Sequence, residues 1–307
     1  MISLIVTAYE DPESTKESIK RILTQKNFHK KFELIAACPD KPTKKVIMEY
    51  KKKYPQIVKY VKQEECEIRK NKLMNKIIKL AQGDILIWTD GNKFLEDNAI
   101  SLILKPFEDP KVGVVGGRPT AMNSRDNLLG YWAHLLTNAS DKMREIRYKK
   151  GYLVEHCANL LAIRKGIINE IPLDVAEDAI ISHMITEKGY KNVYVKEAKV
   201  LVMYPRNFKD WIKQKVRSIK AHEALNKYIN KKNIKMKSFS NEIFYGIYLS
   251  LSFPKNIKEF YWTLLLYPAR LYIWLRAFYE IKIKKQTYSS KWSRSESTKI
   301  LDYEHKK

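Results

Sequence analysis

Short apolar runs alternate with amphipathic stretches through the first hundred positions of the chain. Ile2 to Thr7 is apolar at nearly every position, the pattern of a strand buried on both faces. A polar turn at Glu10, Asp11 and Pro12 follows, and then a helical stretch with Ile19, Ile22 and Leu23 on one side. Phe32 to Ala37 predicts a second strand that closes at Cys38, Pro39 and Asp40. Lys44 to Tyr54 predicts a lysine-rich helix and Ile57 to Val61 a third strand. Lys70 to Leu80 is amphipathic and leads into a strand running from Gly83 towards Asn92. Strands alternating with helices predict an α/β protein, with a mostly parallel sheet covered by helices on both faces.

Beyond this point the pattern is less regular. Asn98 to Phe107 predicts a helix, Val112 to Gly116 a strand, Leu128 to Lys149 a long helix and Cys157 to Arg164 a strand. Pro172 to Ile185 begins as a loop and turns helical through the acidic pair Glu177 and Asp178. Val193 to Val195 and Lys199 to Tyr204 predict two short strands. A basic helix from Phe208 to Lys227 carries Trp211, Ile212, Val216 and Ile219 as its apolar stripe. Asn230 to Ser240 is expected to be a hinge or loop. Two aromatic, apolar blocks follow, Ile243 to Pro254 and Phe260 to Tyr279, interrupted by Pro254, Pro268, Arg270 and Arg276. The pattern divides the chain into an α/β domain over 1–228, an amphipathic helical region over 229–281, expected at a membrane interface, and a basic tail over 282–307, expected to be disordered.

Charge sharpens this division. The 307 residues carry a net charge of +24, and +15 of it falls from Pro205 onward. Such asymmetry points the last third at a polyanion, either a membrane surface or nucleic acid, although lysine-rich surfaces are also simply solvated. Three cysteines without paired spacing imply neither a disulfide framework nor a zinc site, as in a reducing compartment. The apolar opening lacks a basic flank and a cleavage signal, so it is expected to be a strand and not a secretion signal. With no run of about 18 uncharged apolar residues, a simple spanning helix is not expected.

The chemistry concentrates where the run from Gly83 ends on Asp90 and Asn92. A carboxylate and an amide oxygen two residues apart, at the carboxyl end of a buried strand, lie where open α/β sheets bind ligands. Such hard oxygens suit Mg²⁺ or Mn²⁺ carrying phosphates, which points to a nucleotide-dependent enzyme. Other blocks stand around this one in a fixed order: Thr7 to Glu10, Lys70 to Asn75, Cys157 to Arg164, Glu177 with Asp178, and Gln214 to Arg217. On these blocks the chain resembles, from Ile2 to about His222, the family 2 glycosyltransferases, inverting enzymes of the GT-A fold that use nucleotide-sugars.

The resemblance implies a role for each block. Ala8, Tyr9 and Glu10 with Asp40 would bracket the base and ribose, against the plainer reading of Glu10 and Asp40 as turn residues. Lys70 would hold the base or the diphosphate; otherwise it faces solvent. Asp90 and Asn92 would hold a divalent ion, Mg²⁺ or Mn²⁺, that assists the departing diphosphate, weakened because Asn92 replaces the family's last acid. Asp178 would be the catalytic base, against the alternative of a first-turn acid favoured by the helix dipole. Asn159 would line the donor-sugar pocket, with Ala158 where the family often has Gly. Glu177, Gln214 and Arg217 would bind acceptor or phosphate, Arg217 as a bidentate clamp. Ser218 stands where processive members have Trp, which points to single addition. His222 is expected to be structural.

The implied partners are a nucleotide-sugar donor, UDP-linked first and GDP-linked next, and a glycan or polyprenyl-phosphate-linked acceptor. Trp262, Leu265, Tyr267, Tyr272, Trp274 and Phe278, mixed with Arg270 and Arg276, suit an anionic membrane surface on the cytoplasmic face. The alternative is a helical hairpin covering the enzyme's own core or a dimer interface. Two other functions remain open: a nucleic-acid-binding protein explained by charge, and a degenerate scaffold that binds nucleotide-sugars without turnover. Carboxylates at the strand ends argue against nucleic acid.

Overall fold

The computed structural model describes residues 1–63, 69–229, 236, 239–289, 291 and 295–299. Its centre is an eight-stranded sheet of order β3-β2-β1-β4-β7-β6-β8-β5. Strands β1 (Ile2–Thr7), β2 (Phe32–Cys38), β3 (Val58–Lys62) and β4 (Ile85–Asp90) are parallel neighbours. Helices α1 (Pro12–Leu23), α2 (Lys41–Lys53) and α3 (Lys70–Leu80) make the crossovers between them. β1 is buried along its whole length, as its unbroken apolar run requires. The remaining strands form a mixed half. β7 (Leu161–Arg164) runs antiparallel to both β4 and β6 (Val112–Ala121), β6 runs parallel to β8 (Lys191–Val202), and β5 (Lys93–Leu95) lies antiparallel on the outer edge of β8.

One expectation is corrected here, and one strand is new. The strands expected over Val193 to Val195 and Lys199 to Tyr204 are one continuous β8. Its register against β6 slips between Gly116 and Arg118, so the ladder passes the polar Lys196 and Glu197 that break the apolar pattern. β5 was not expected, because three residues offer no periodicity to read.

β1 and β4 can approach closely only because position 83 has no side chain. A Cβ on Gly83 would lie 2.4 Å from the Ser3 nitrogen and 2.7 Å from the Ile2 carbonyl carbon. Gly83 N–H donates to Ser3 Oγ at 2.8 Å, and Ser3 in turn donates to the buried Glu33 carboxylate at 2.6 Å. Gly83→Ala should therefore cost about 1–3 kcal/mol of stability by overpacking, read as a lower urea midpoint at unchanged slope.

One apolar cluster lies on each face of the sheet. A third lies away from it, between α5 (Leu128–Lys149), α7 (Phe208–Ala224) and α9 (Ile257–Phe278). Leu129, Trp132 and Leu135 of α5 meet Trp211 and Ile219 of α7 and Leu266 and Ile273 of α9. The helical region expected over 229–281 thus shares a core with α5 and α7. Arg270, expected at a headgroup boundary, is buried and paired with Glu242 of α8 (Phe239–Leu251), its Nη2 donating at 2.7 Å. The outward face of α9 stays apolar, with Ile257, Tyr261, Leu264, Leu271, Leu275 and Phe278 exposed. Among the described residues no helix is long and apolar enough to cross a membrane. The hinge expected from Asn230 falls outside the described residues, Met236 apart, and helix begins again at Phe239. The tail expected to be disordered packs, in its described residues, on α7 and the turn before it: Ser297 Oγ donates to Asp210 at 2.6 Å, and Arg206 donates to the Ser297 carbonyl at 2.8 Å.

Candidate active site

Strand order reverses direction between β1 and β4, and ligands of open α/β sheets bind at such a switch point. Thr7 and Asp90 are register partners at the carboxyl ends of these two strands, and the Thr7 hydroxyl donates to Asp90 Oδ1 at 3.1 Å. Above them opens a polar cavity of about 400 Å³. Ala8, Tyr9, Lys70, Asp90, Asn92, Asn159, Glu177, Asp178, Gln214 and Arg217, drawn from distant parts of the chain, all line it.

Glu10 and Asp40 are not among the residues that line this cavity. Asp40 caps α2, accepting from Thr43 N–H at 2.9 Å, and its second oxygen accepts from Glu10 N–H at 2.8 Å. Its carboxylate is thus engaged in tying two turns together. Glu10 points to solvent with a left-handed backbone, φ 48°.

Lys70 does not face solvent. Its ammonium bridges Asp90 Oδ1 and Glu177 Oε1, each at 2.8 Å. Burial opposes its charge, but the two carboxylates outweigh burial and raise its pKa, so Lys70 stays protonated. For Asp90 burial pushes the other way, and Lys70 and Lys93 overcome it to hold the carboxyl below its usual range. Asp178 is the exception among the acids. Burial and the adjacent Glu177 charge raise its pKa, only partly opposed by His222 and Lys70. Its Oδ1 accepts from Ala179 N–H at 2.9 Å, and Oδ2 faces Ala158 N–H at 3.5 Å. A carboxylate with a raised pKa and one loosely held oxygen has the character of a proton acceptor.

Several site residues were missing from the sequence reading. Lys93, on the unexpected β5, donates to Asn92 Oδ1 at 2.5 Å, and burial lowers its pKa against the pull of Asp90. Tyr288 of the tail is buried at the cavity edge with the Arg217 guanidinium 5.8 Å from its ring centre. Glu155 lies buried beneath the site, 3.2 Å from both His183 Nε2 and His222 Nδ1. No local pattern marks these residues, because each is brought in by tertiary packing. Gln214 Oε1 is out of contact with solvent and has no hydrogen-bond donor among the described residues. An unpaired buried acceptor on a cavity wall suits a ligand hydroxyl.

With this geometry in view, the comparisons with known proteins are specific. The family model described as "Glycosyltransferase like family 2" matches residues 1–221, and the chain belongs to that family. An N-acetylglucosaminyltransferase of Rhizobium meliloti (strain 1021) is 23% identical over 168 residues, which span 49% of this chain and 38% of that protein. A second, from Rhizobium sp. (strain N33), is 21% identical over 49% of this chain and 36% of its own length. The chain thus matches little more than a third of these relatives. Among solved structures, mannosyltransferase PcManGT from Pyrobaculum calidifontis, in complex with GDP-Man and Mn²⁺, superposes with a TM-score of 0.58 at 19% identity, over 92% of this chain and 81% of that one. S. aureus TarS superposes with a TM-score of 0.52 at 13% identity, over 84% of this chain and 46% of its own. These likenesses show the GT-A fold.

The residues expected to hold a divalent ion do not fit one as they stand. Asp90 is the only carboxylate of the pair, its Oδ1 accepts from Lys70, and the Asn92 oxygen accepts from Lys93. No group of three His, Cys, Asp or Glu among the described residues is arranged to hold a metal. An entering cation would meet the Lys70 ammonium on Asp90 Oδ1 and the Lys93 ammonium on the Asn92 oxygen.

Proposed function

We propose that the protein is an inverting glycosyltransferase that moves a sugar from a nucleotide-sugar to an acceptor hydroxyl, with Asp178 as general base. The observation that carries this reading is the position of Asp178, which lines both the polar cavity and a larger apolar one beside it. The donor would enter over Ala8 and Tyr9, with its sugar against Asn159 and Gln214. The acceptor oxygen attacks the anomeric carbon from the far side as the bond from that carbon to the phosphate oxygen breaks. The acceptor proton passes to Asp178, and the nucleoside diphosphate leaves.

Charge on the leaving diphosphate would be met by Lys93, Lys213 and Arg217, which line the polar cavity. The divalent ion expected from the resemblance has no part in this reading, because Lys70 holds Asp90 Oδ1 and Lys93 holds the Asn92 oxygen. UDP remains the first choice of nucleotide and GDP the second. The exposed apolar stripe of α9 and the basic carboxyl-terminal third support a peripheral site on the cytoplasmic face of the membrane, with a lipid-linked or cell-surface glycan as acceptor.

A thermal-shift series with UDP-, GDP- and dTDP-sugars tests the donor. One nucleotude class should raise the melting temperature, by an amount that grows with the logarithm of its concentration. No shift with any of them would remove the transferase reading.

A further inference from the structure

Beneath the polar cavity one buried carboxylate is shared by two imidazoles. Glu155, 2% exposed, has Oε1 3.2 Å from His183 Nε2 and Oε2 3.2 Å from His222 Nδ1. Oε1 also accepts from the Met236 N–H at 3.1 Å. The arrangement ties two helices to one point. His183 belongs to α6 (Glu177–Glu187), the helix whose first turn carries Asp178, and His222 belongs to α7. Burial disfavours charge on Glu155, but the two imidazoles overcome it and hold the carboxyl below its usual range. An ionised carboxylate out of reach of solvent calls for a cation beside it. Arg144 Nε goes to the backbone carbonyl of Glu155 at 3.2 Å, and among the described residues the ion pairs of the carboxylate are with the two histidines.

These histidines are not equivalent. His183 is fully enclosed, whereas His222 is 21% exposed and lines both the polar cavity and an apolar cavity of about 880 Å³ between α5, α8 and α9. The described residues that line both cavities are Cys157, Asn159, Asp178, Tyr204, Ser218 and His222. Of these, His222 is the one able to carry a positive charge. Read from the sequence as structural, it stands with the proposed base where the two spaces meet.

The charges around Asp178 give this neighbour a task. Burial and Glu177 disfavour the ionised form of Asp178, while His222 and Lys70 favour it. Lys70 is committed to Asp90 and Glu177, 2.8 Å from each. The Cys157 thiol and the Tyr288 hydroxyl are pushed up by burial and by the acids beside them, so both stay neutral. The cations on the cavity walls are engaged elsewhere. Arg217 lies over the Tyr288 ring, Lys215 lies over the Tyr204 ring, and Arg270 is paired with Glu242. From α5, Arg144 acts on Cys157, Tyr194, Tyr204 and Asp141. Imidazoles gain their charge just below neutral pH, where a buried carboxyl begins to lose its own.

We propose that His222, held by Glu155, is a positioning residue for the reaction: as an imidazolium at the junction of the two cavities, it keeps Asp178 in the carboxylate form that takes the acceptor proton. The role in transfer rests on the reading of Asp178 as base, while the coupling of the two side chains stands on their placement. A purely structural His222 would serve only to give Glu155 an N–H, which Gln also supplies.

Carboxyl-carbon NMR of the full chain, labelled at aspartate and followed across pH without donor or acceptor, tests the coupling directly. The resonance missing from Asp178→Asn belongs to Asp178. In His222→Gln the Asp178 titration should move to higher pH. At the wild-type midpoint the ratio of ionised to protonated Asp178 should fall by about 3- to 10-fold, the effect of removing one neighbouring charge. His222→Lys, which restores a cation beside Glu155, should return the titration to the wild-type position or below it. The coupling is reciprocal, so in Asp178→Asn one histidine ring should take up its proton at lower pH than in the wild type. That second reading needs no substitution at His222. An Asp178 titration unmoved in His222→Gln, or moved upward alike in His222→Lys, overturns the inference. So do histidine titrations that Asp178→Asn leaves unchanged. The reading of Asp178 as base fails on a different result, transfer that survives Asp178→Asn, so the two can fall separately.

Discussion

Asp178→Asn should abolish transfer, by about 10²–10⁴-fold, while leaving a protein that is folded and melts a few degrees higher. The two effects share one cause. Burial and Glu177 raise the pKa of Asp178, so the fold disfavours its ionised form. For an acid whose folded pKa lies above the unfolded one, ionisation costs stability at neutral pH, and that cost fades as pH falls through the folded value. Asn removes the cost together with the base. In the wild type, kcat/KM should fall on the acid side with a limb above the ordinary aspartate value of 3.8, because only the carboxylate accepts a proton. The residual rate of the variant should lack that limb. Steady-state rates across pH, with a melting curve for each protein, decide the matter. Full activity in Asp178→Asn would remove the base assignment.

Lys93→Met should lower turnover by about 10²–10³-fold, the usual cost of losing one fixed donor to charge that develops in the transition state. The sequence pattern points to Asp90 and Asn92 as a metal pair, whereas the folded arrangement puts an ammonium on each: Lys70 on Asp90 and Lys93 on Asn92. If these cations answer the diphosphate charge, EDTA should leave the wild-type rate essentially unchanged, and added Mn²⁺ should not restore Lys93→Met. Loss of the wild-type rate in EDTA with recovery in Mn²⁺ would show instead that the ion displaces the lysines.

Long periodic elements were the most legible part of this chain. Lys70–Leu80 and Leu128–Lys149 have the limits their apolar spacing predicts. The parallel half of the sheet was equally readable, because strands buried on both faces are continuously apolar. What local pattern cannot show is where a polar side chain spends its hydrogen bonds. Asp40 lies at a strand end as expected, yet its carboxylate caps α2 and holds the Glu10 N–H. Arg270 has the look of a membrane-boundary cation, yet a carboxylate 28 positions earlier neutralises it inside the protein. Lys93 and Tyr288 reach the site from a three-residue strand and from the tail, neither of which carries a period. The motif blocks located the cavity, and the charge balance within it came from tertiary contacts.

The indole rings of α5 and α7 make the docking of the carboxyl-terminal helices optically visible. Trp132 and Trp211 lie with ring centres 5.0 Å apart, close enough for their electronic transitions to couple. The Trp132 Nε1–H donates to the carbonyl of Trp262 on α9 at 2.7 Å, so this geometry depends on α9 staying in place. Near-ultraviolet circular dichroism of the unlabelled protein should therefore register any displacement of α9. Lipid, detergent or a filled cavity could then be followed through an intrinsic chromophore, with no tag or dye on the exposed apolar face of α9.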